Sequence, residues 1–234
     1  MKHDLDGRPS YGLARIRLQE REGLLTRRPS IIARSTALEI RPTRSEPSPS
    51  TGFVSRLWGL VQTLVQRRIF GRVCHYEARR DDQLLVLAPP TSGSLEALPH
   101  SPHPIRLRAG AWFAATPERQ SHWCWAGFGL LLTPMGPFFQ EFDAAADSPD
   151  SLLLIHTHGA LETIDIDGSY LLDGRRLVAL SGPLNCRRRL VRRGRLWPPS
   201  WRWLVECTGT GRIWMETREL PSTLHRLAIR QPSH

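Results

Sequence analysis

The sequence predicts an all-β protein, an antiparallel β-sandwich with internal repeats, from three observations. Residues 14–19 alternate strictly between apolar and polar side chains, which is typical of a half-buried strand. From Leu84 onward, short apolar runs alternate with turn residues. One five-residue pattern occurs three times, which favours successive strands of a recurring β unit.

The repeated pattern is two bulky apolar residues, an alanine, one further residue and a hydroxyl-bearing residue. A bend residue precedes each copy: Pro29, Gly110 or Gly174. Because nothing in the pattern is reactive, we expect it to determine architecture rather than chemistry. The copies are Ile31-Ile32-Ala33-Arg34-Ser35, Trp112-Phe113-Ala114-Ala115-Thr116 and Leu177-Val178-Ala179-Leu180-Ser181.

The repeats and the Pro- and Ser-rich breaks predict the domain organisation. We expect a single β-sandwich unit over 11–225, between a flexible N-terminus at 1–10 and a C-terminal tail at 226–234. Within it we expect modules at 11–41, 71–142 and 151–219, with a linker and helix at 42–70.

The third module carries the strongest turn signals. Asp167-Gly168 and Asp173-Gly174 lie between short apolar runs, a pattern typical of β-hairpins. We therefore predict one hairpin at each Asp-Gly pair.

One stretch near 53–68 has helical periodicity. Its apolar side chains recur at the spacing of one helix face, with Arg and Gln opposite. Packing on the β core is the favoured interpretation, and a membrane-surface helix is the alternative. The apolar residues are Val54, Leu57, Trp58, Val61, Leu64 and Val65.

The chain is basic, with 32 Lys and Arg against 22 Asp and Glu. Such a surface attracts phosphate or anionic lipid, although base composition would equally explain the arginines. The cysteines occur singly, which predicts reduced thiols in or near the core and neither a zinc ribbon nor a disulfide framework. They are Cys74, Cys124, Cys186 and Cys207. With no secretory signal, we expect a cytoplasmic protein, with peripheral membrane attachment as an alternative.

Three segments resemble the altered inheritance of mitochondria family, number twenty-four. They are residues 152–162, the strand at 171–181, and residues 208–217, where Gly209-Thr210-Gly211 resembles a turn leading into the family's closing strand. The resemblance implies a tryptophan-attenuator-like β-sandwich, also described as a double-stranded β-helix, and often a threefold oligomer. It implies no activity, since the family is associated with membrane organisation rather than catalysis.

His156, His158 and Glu162 match the core of a cupin metal motif, because alternate strand residues face the same side. The flanking pattern departs from the cupin motif. Asp150 stands where glycine is required, and Gly168 follows Glu162 after five residues where the motif requires six. We favour ordinary strand histidines, and keep a cupin-like metalloenzyme as the alternative.

A second candidate site is the arginine-rich stretch that precedes Trp197, Trp201 and Trp203. Arginines interleaved with aromatics suit a nucleic-acid or anionic-lipid surface, whereas a solvated hairpin is the simpler interpretation. The arginines are Arg187, Arg188, Arg189, Arg192, Arg193 and Arg195.

No nucleophile elbow or phosphate-binding loop is present in the sequence. We therefore predict a non-enzymatic binding or scaffold protein without a cofactor or a small-molecule substrate. We expect a homo-oligomer, with a trimer favoured, because exposed edge strands need covering.

Overall fold

A computed structural model describes residues 1–7, 11–27, 31–43, 73–125, 138–143, 151–193 and 200–218. All regular secondary structure in these ranges is β, so the prediction of an all-β protein is confirmed. The helix predicted near 53–68 lies outside the described residues, as do the predicted tail at 226–234 and Arg195. The strands are β1 (Lys2–Asp6), β2 (Leu13–Leu18), β3 (Gly23–Arg27), β4 (Ile31–Arg34), β5 (Leu38–Thr43), β6 (Val73–Ala78), β7 (Gln83–Leu87), β8 (Ser94–Ala97), β9 (Ile105–Arg108), β10 (Trp112–Ala115), β11 (Ser121–Trp125), β12 (Phe138–Phe142), β13 (Leu153–Thr157), β14 (Leu161–Leu172), β15 (Leu177–Ser181), β16 (Leu184–Arg193) and β17 (Ser200–Glu216).

The chain divides into two compact units, each assembled from several segments. The first contains 1–100, 110–122 and 145–156, and the second contains 101–109, 123–144 and 157–234. The three modules predicted from the repeats divide the chain by sequence rather than by contact, and they stay a prediction. No helix among the described residues is long and apolar enough to cross a membrane.

The first unit has a four-stranded sheet, β1-β2-β7-β4, and a six-stranded sheet, β5-β6-β3-β10-β13-β8. Side chains from both sheets form one apolar core, which is consistent with a β-sandwich. Ala14, Ile16 and Leu18 of β2 are fully buried while Arg15 and Arg17 between them are exposed, as their alternation predicted.

The second unit has a seven-stranded sheet in which β11, β12, β9, β15, β17 and β14 follow one another and β16 also pairs with β17. β17 is the centre of this sheet, because its 17 residues pair antiparallel with three different strands. Its own core contains Phe139, Leu180, Val205 and Ile213 among others.

All three copies of the repeated pattern form strands with the same irregularity. The pairing register shifts between Ile31 and Ala33 in β4, between Trp112 and Ala114 in β10, and between Leu177 and Ala179 in β15. A β-bulge therefore precedes the alanine in each copy. The three copies share this irregularity, and the internal repeat stays a prediction.

The hydroxyl that ends the pattern has a structural role in the first two copies. The Ser35 amide donates to the Leu84 carbonyl, while Ser35 Oγ accepts from the Leu84 amide at 3.0 Å. Thr116 makes the same exchange with Leu152, at 3.2 Å to its Oγ1. The side chain thus replaces a backbone acceptor where the strand ends.

The hairpin predicted at Asp167-Gly168 is wrong. β14 continues through Gly168, and its twelve residues all pair with β17. Gly168 lies opposite Gly209, and both have left-handed φ angles, +115° and +122°. The two facing glycines adopt left-handed backbone conformations without interrupting the pairing of β14 with β17, so the Asp-Gly pair forms no turn.

Two further turns are predicted near this end of the chain, at Gly209-Thr210-Gly211 and at Asp173-Gly174. Gly209-Thr210-Gly211, predicted as a turn, lies inside β17 and pairs with residues 166–168 of β14. Gly174 does lie in a turn, but that turn joins β14 to β15, which border β17 on opposite sides and do not form a hairpin.

Candidate functional site

The candidate site lies along the first part of β17, where residues 200–209 pair with β16 and residues 205–209 also pair with β14. We call residues 169–172, 184–193 and 200–209 the three-strand segment. Tyr170 and Cys186 both lie opposite Cys207, and Leu171 and Arg187 both lie opposite Glu206. Directly opposed residues share a face of the sheet, so the register determines two faces of different chemistry.

One face is centred on the buried Glu206 and is mainly polar, although it also includes Leu171, which is 48% exposed. Its carboxylate accepts hydrogen bonds from Arg187 Nε at 3.1 Å, Arg189 Nη1 at 2.5 Å and Ser169 Oγ at 3.3 Å. Burial alone would raise the pKa of this carboxyl, but the two guanidinium groups outweigh it and hold the pKa below its ordinary value.

The opposite face is apolar and continues beyond the core of the second unit. Val205 and Cys207 are buried there, whereas Trp203 is 48% exposed, Leu190 43% and Tyr170 44%. Leu190 and Trp203 lie directly opposite each other. Tyr170 lies on the same face but opposite Cys207, four residues along β17 from Trp203, and we call Tyr170, Leu190 and Trp203 the apolar patch.

Arg188 stacks on Trp203 in this face, with its guanidinium carbon 4.1 Å from a ring centroid. Such a cation–π contact holds the indole ring in place without removing it from solvent. The apolar patch therefore has an ordered aromatic residue at its centre.

A pocket of about 170 Å³ opens in the same unit. Arg106 contributes its charge to the wall: its Nη2 donates to the Gly182 carbonyl at 2.9 Å, and its Nε lies 3.4 Å from Glu141 Oε2. Two thiols also contribute to the wall. The lining residues are Arg106, Cys124, Trp125, Phe139, Leu180, Leu184, Asn185 and Cys186.

The four thiols are free, as the sequence predicted, and those of the pocket differ in acidity. A hydrogen bond from the Cys207 thiol lowers the pKa of Cys186, and Arg106 lowers it further against the effect of burial. That same hydrogen bond, together with burial, raises the pKa of Cys207. Burial and the Glu141 charge raise the pKa of Cys124 to about 11.

The arginines predicted as an anion-binding surface are only partly available for that role. Arg187 and Arg189 are ion-paired with Glu206, and Arg188 is stacked on Trp203. Arg192 and Arg193 lie at the end of β16, and their side chains are outside the described set. An anionic partner would therefore have to compete with Glu206 for two of the arginines.

The structure places the three candidate metal ligands in different elements: His156 in β13, His158 in the segment after it and Glu162 in β14. His156 is half-buried in β13 of the first unit, and its amide donates to the Ala111 carbonyl. His158 and Glu162 belong to the second unit, where the His158 amide donates to Glu216 Oε2 at 2.9 Å and Glu162 is exposed opposite Met215. Among the described residues, no group of three or more His, Cys, Asp and Glu is placed to hold a metal ion.

A family model with the description Mitochondrial biogenesis AIM24 matches residues 3–218. The chain belongs to the AIM24 family. This confirms the resemblance recognised in the sequence, and the match includes every strand of the three-strand segment. No curated protein matches the AIM24 chain by sequence.

Among solved structures, the chain is similar to the crystal structure of protein SPYM3_0169 from Streptococcus pyogenes. The two share 18% sequence identity and a TM-score of 0.67, and the match covers 98% of this chain and 99% of that one. At this identity the likeness shows the fold alone.

Two functional features were not found from the sequence. The pairing of Cys186 with Cys207 depends on the register of β16 against β17, which no local pattern encodes. The apolar patch joins residues from three strands, whereas the sequence pattern groups only Trp203 with the arginines. Alternation in 184–190 was the available signal, since it places Cys186, Arg188 and Leu190 on one face.

Proposed function

We propose that this AIM24 protein is a non-enzymatic scaffold that assembles with further copies of itself through the three-strand segment. The observation that carries the proposal is the apolar patch, where Tyr170, Leu190 and Trp203 extend a core face into solvent. Large apolar side chains that cluster on an ordered surface are typical of protein interfaces, and aromatic residues dominate their energetics.

The edges of the segment support a second copy as the partner. In the described sheet, β14 is the last strand and β16 pairs with β17 only, and they are 12 and 10 residues long. Long edge strands present unpaired backbone groups, which natural proteins cover. A copy of the same chain would cover both the edges and the patch in a closed assembly.

The family supports a threefold arrangement, and we propose a trimer. The polar face agrees with a scaffold role, since Glu206 holds the side chains of Arg187 and Arg189 in place and offsets one of their two charges. We propose a cytoplasmic location, with peripheral association with a membrane as the alternative that the family suggests.

Native mass spectrometry of the full chain, supported by light scattering, tests the assembly. We expect a trimer for the wild type and a monomer for Trp203→Glu and for Leu190→Glu, because each places a carboxylate at the centre of the contact. The matched control is Ile32→Glu, which alters another exposed apolar residue, 63% exposed in the first unit, and should leave the trimer intact.

Two outcomes would contradict this function. A monomeric wild type at micromolar concentration, or a trimer that survives both glutamate variants, would remove the three-strand segment as the interface. A stoichiometric metal that is lost in a His156→Ala/His158→Ala double variant would instead favour the cupin-like metalloenzyme.

A further inference from the structure

The second unit contains a pair of thiols that differ in access. Cys186 in β16 lies directly opposite Cys207 in β17, so the two side chains share one face of the sheet. Cys186 is partly exposed and lines the pocket, whereas Cys207 is fully buried at 0% exposure. The Cys186 thiol is therefore accessible to solutes, whereas the Cys207 thiol is shielded from them.

We propose that Cys186 is a hydroperoxide-reactive thiol and that Cys207 is the partner that closes a reversible disulfide with it. The pocket supplies access beside Arg106, and its walls are mixed, with Arg106 and Asn185 as well as Phe139, Leu180 and Leu184. The polar part suits hydrogen peroxide and the apolar part suits small organic hydroperoxides. The proposal does not depend on self-assembly.

The reaction balances in two steps. The Cys186 thiolate attacks one oxygen of the hydroperoxide, the O–O bond breaks, and a sulfenic acid forms while the other oxygen leaves as water or an alcohol after taking a proton. Cys207 sulfur then attacks the sulfenic sulfur, so that the S–S bond forms and the S–O bond breaks. The departing hydroxide takes the Cys207 proton and leaves as water, and the two thiols have given two electrons to the peroxide.

The geometry of the strand pair suits this disulfide. Directly opposed residues in antiparallel strands have Cα atoms about 4.5–5.5 Å apart, within the range of about 4.4–6.8 Å that a disulfide spans. Because the two residues already face each other in the ladder, the disulfide needs no change in the register of β16 against β17.

The electrostatics distinguish Cys186 from the other thiols. The hydrogen bond from Cys207 and the charge of Arg106 lower the pKa of Cys186, so it holds more of the reactive thiolate. Cys124 lines the same pocket, but its pKa is raised to about 11. Cys74 is buried in the first unit. Cys124 is thus a matched control that shares the access but not the activation.

The first experiment treats reduced full-length protein with limiting hydrogen peroxide, or with cumene hydroperoxide, followed by peptide mapping. We expect a Cys186–Cys207 disulfide that dithiothreitol reverses. The oxidant that forms it faster shows whether Cys186 reacts preferentially with hydrogen peroxide or with an organic hydroperoxide. Trapping with dimedone should label Cys186 in the Cys207→Ser variant, where the sulfenic acid cannot be resolved.

Alkylation of the unmodified chain gives a readout that needs no variant to fold. Cys186 should react with a limiting maleimide about tenfold or more faster than Cys124. The Cys124→Ser variant should still form the disulfide, and the Cys186→Ser variant should not. First modification of Cys124 or Cys74, or no disulfide with either hydroperoxide, would overturn the proposal.

Discussion

The two ends of β17 use the same residue types in opposite ways. Near its C-terminal end, Trp214 is 2% exposed within the core, and buried Glu216 accepts from a single arginine, Arg108, at 2.8 Å. Near its N-terminal end, Trp203 is exposed and stacked on Arg188, and Glu206 is shared by two arginines. One end of the strand therefore stabilises the fold, whereas the other presents a surface.

The difference follows from the strands that border each end. The C-terminal end lies between β14 and β15, and β15 is buried along its whole length. The N-terminal end pairs with β16, whose residues alternate towards solvent, and β14 reaches it only as far as Val205. The partner strands, rather than the side chains, determine which tryptophan is structural.

The largest expected effect on the free energy of unfolding comes from replacing the two tryptophans of β17. Trp214→Ala should lower the free energy of unfolding by about 3–5 kcal/mol, because it leaves a cavity in the core. Trp203→Ala should lower it by about 1 kcal/mol, mainly through the lost stacking with Arg188. Urea unfolding measures both, at a dilution where light scattering shows monomers.

Equal losses for the two variants would contradict the comparison. It would then follow that the N-terminal end of β17 stabilises the second unit as strongly as the C-terminal end does.

The next effect concerns the point where β17 changes from one partner strand to the other. A Cβ on Gly209 would lie 2.3 Å from the Pro183 carbonyl oxygen, whereas a Cβ on Gly168 would have no atom within 4 Å. Gly209→Ala should therefore cost about 3 kcal/mol of unfolding free energy, and Gly168→Ala only the backbone strain of about 1–2 kcal/mol. Thermal unfolding of the two variants side by side measures the difference.

Gly168→Ala is the matched control, because it has a similar φ and lies in the same cross-strand pair. If it were as costly as Gly209→Ala, backbone strain alone would account for both and the close approach of Pro183 would have no part.

The smallest expected effect is on the pH dependence of stability. The pKa of Glu206 is lower in the folded protein than its ordinary value of 4.5, so this carboxyl stabilises the fold above that pH. Its contribution is lost as pH falls through the folded pKa. The decrease in the urea midpoint between about pH 6 and about pH 3 should therefore be shallower in Glu206→Gln than in the wild type.

Glu162→Gln serves as the control for this measurement, since it removes an exposed glutamate from neighbouring β14. An unchanged pH profile in Glu206→Gln would show that Arg187 and Arg189 do not hold Glu206 in solution as they do in the structure.

The sequence predicted the β class, the strand at β2 and the family, because alternation and turn residues are local signals. It also located the three repeated strands, although it could not reveal their bulges. It failed at Asp167-Gly168, where a local turn preference competes with a ladder of twelve residue pairs to β17. The Cys186–Cys207 pair and the apolar patch could not be predicted from the sequence, because both depend on which strands become neighbours.

The bulge shared by β4, β10 and β15 adds one residue to each strand relative to its partner strand. Each bulge offsets the inside-outside alternation by one residue. All the residues of β10 and β15 are buried, whereas β4 is mostly exposed. Deleting one residue at Phe113 or Val178 would remove the bulge and move the side chains that follow it to the opposite face of the strand. The number of residues between the bulge and the end of β10 or β15 is therefore set by the register of the neighbouring strands.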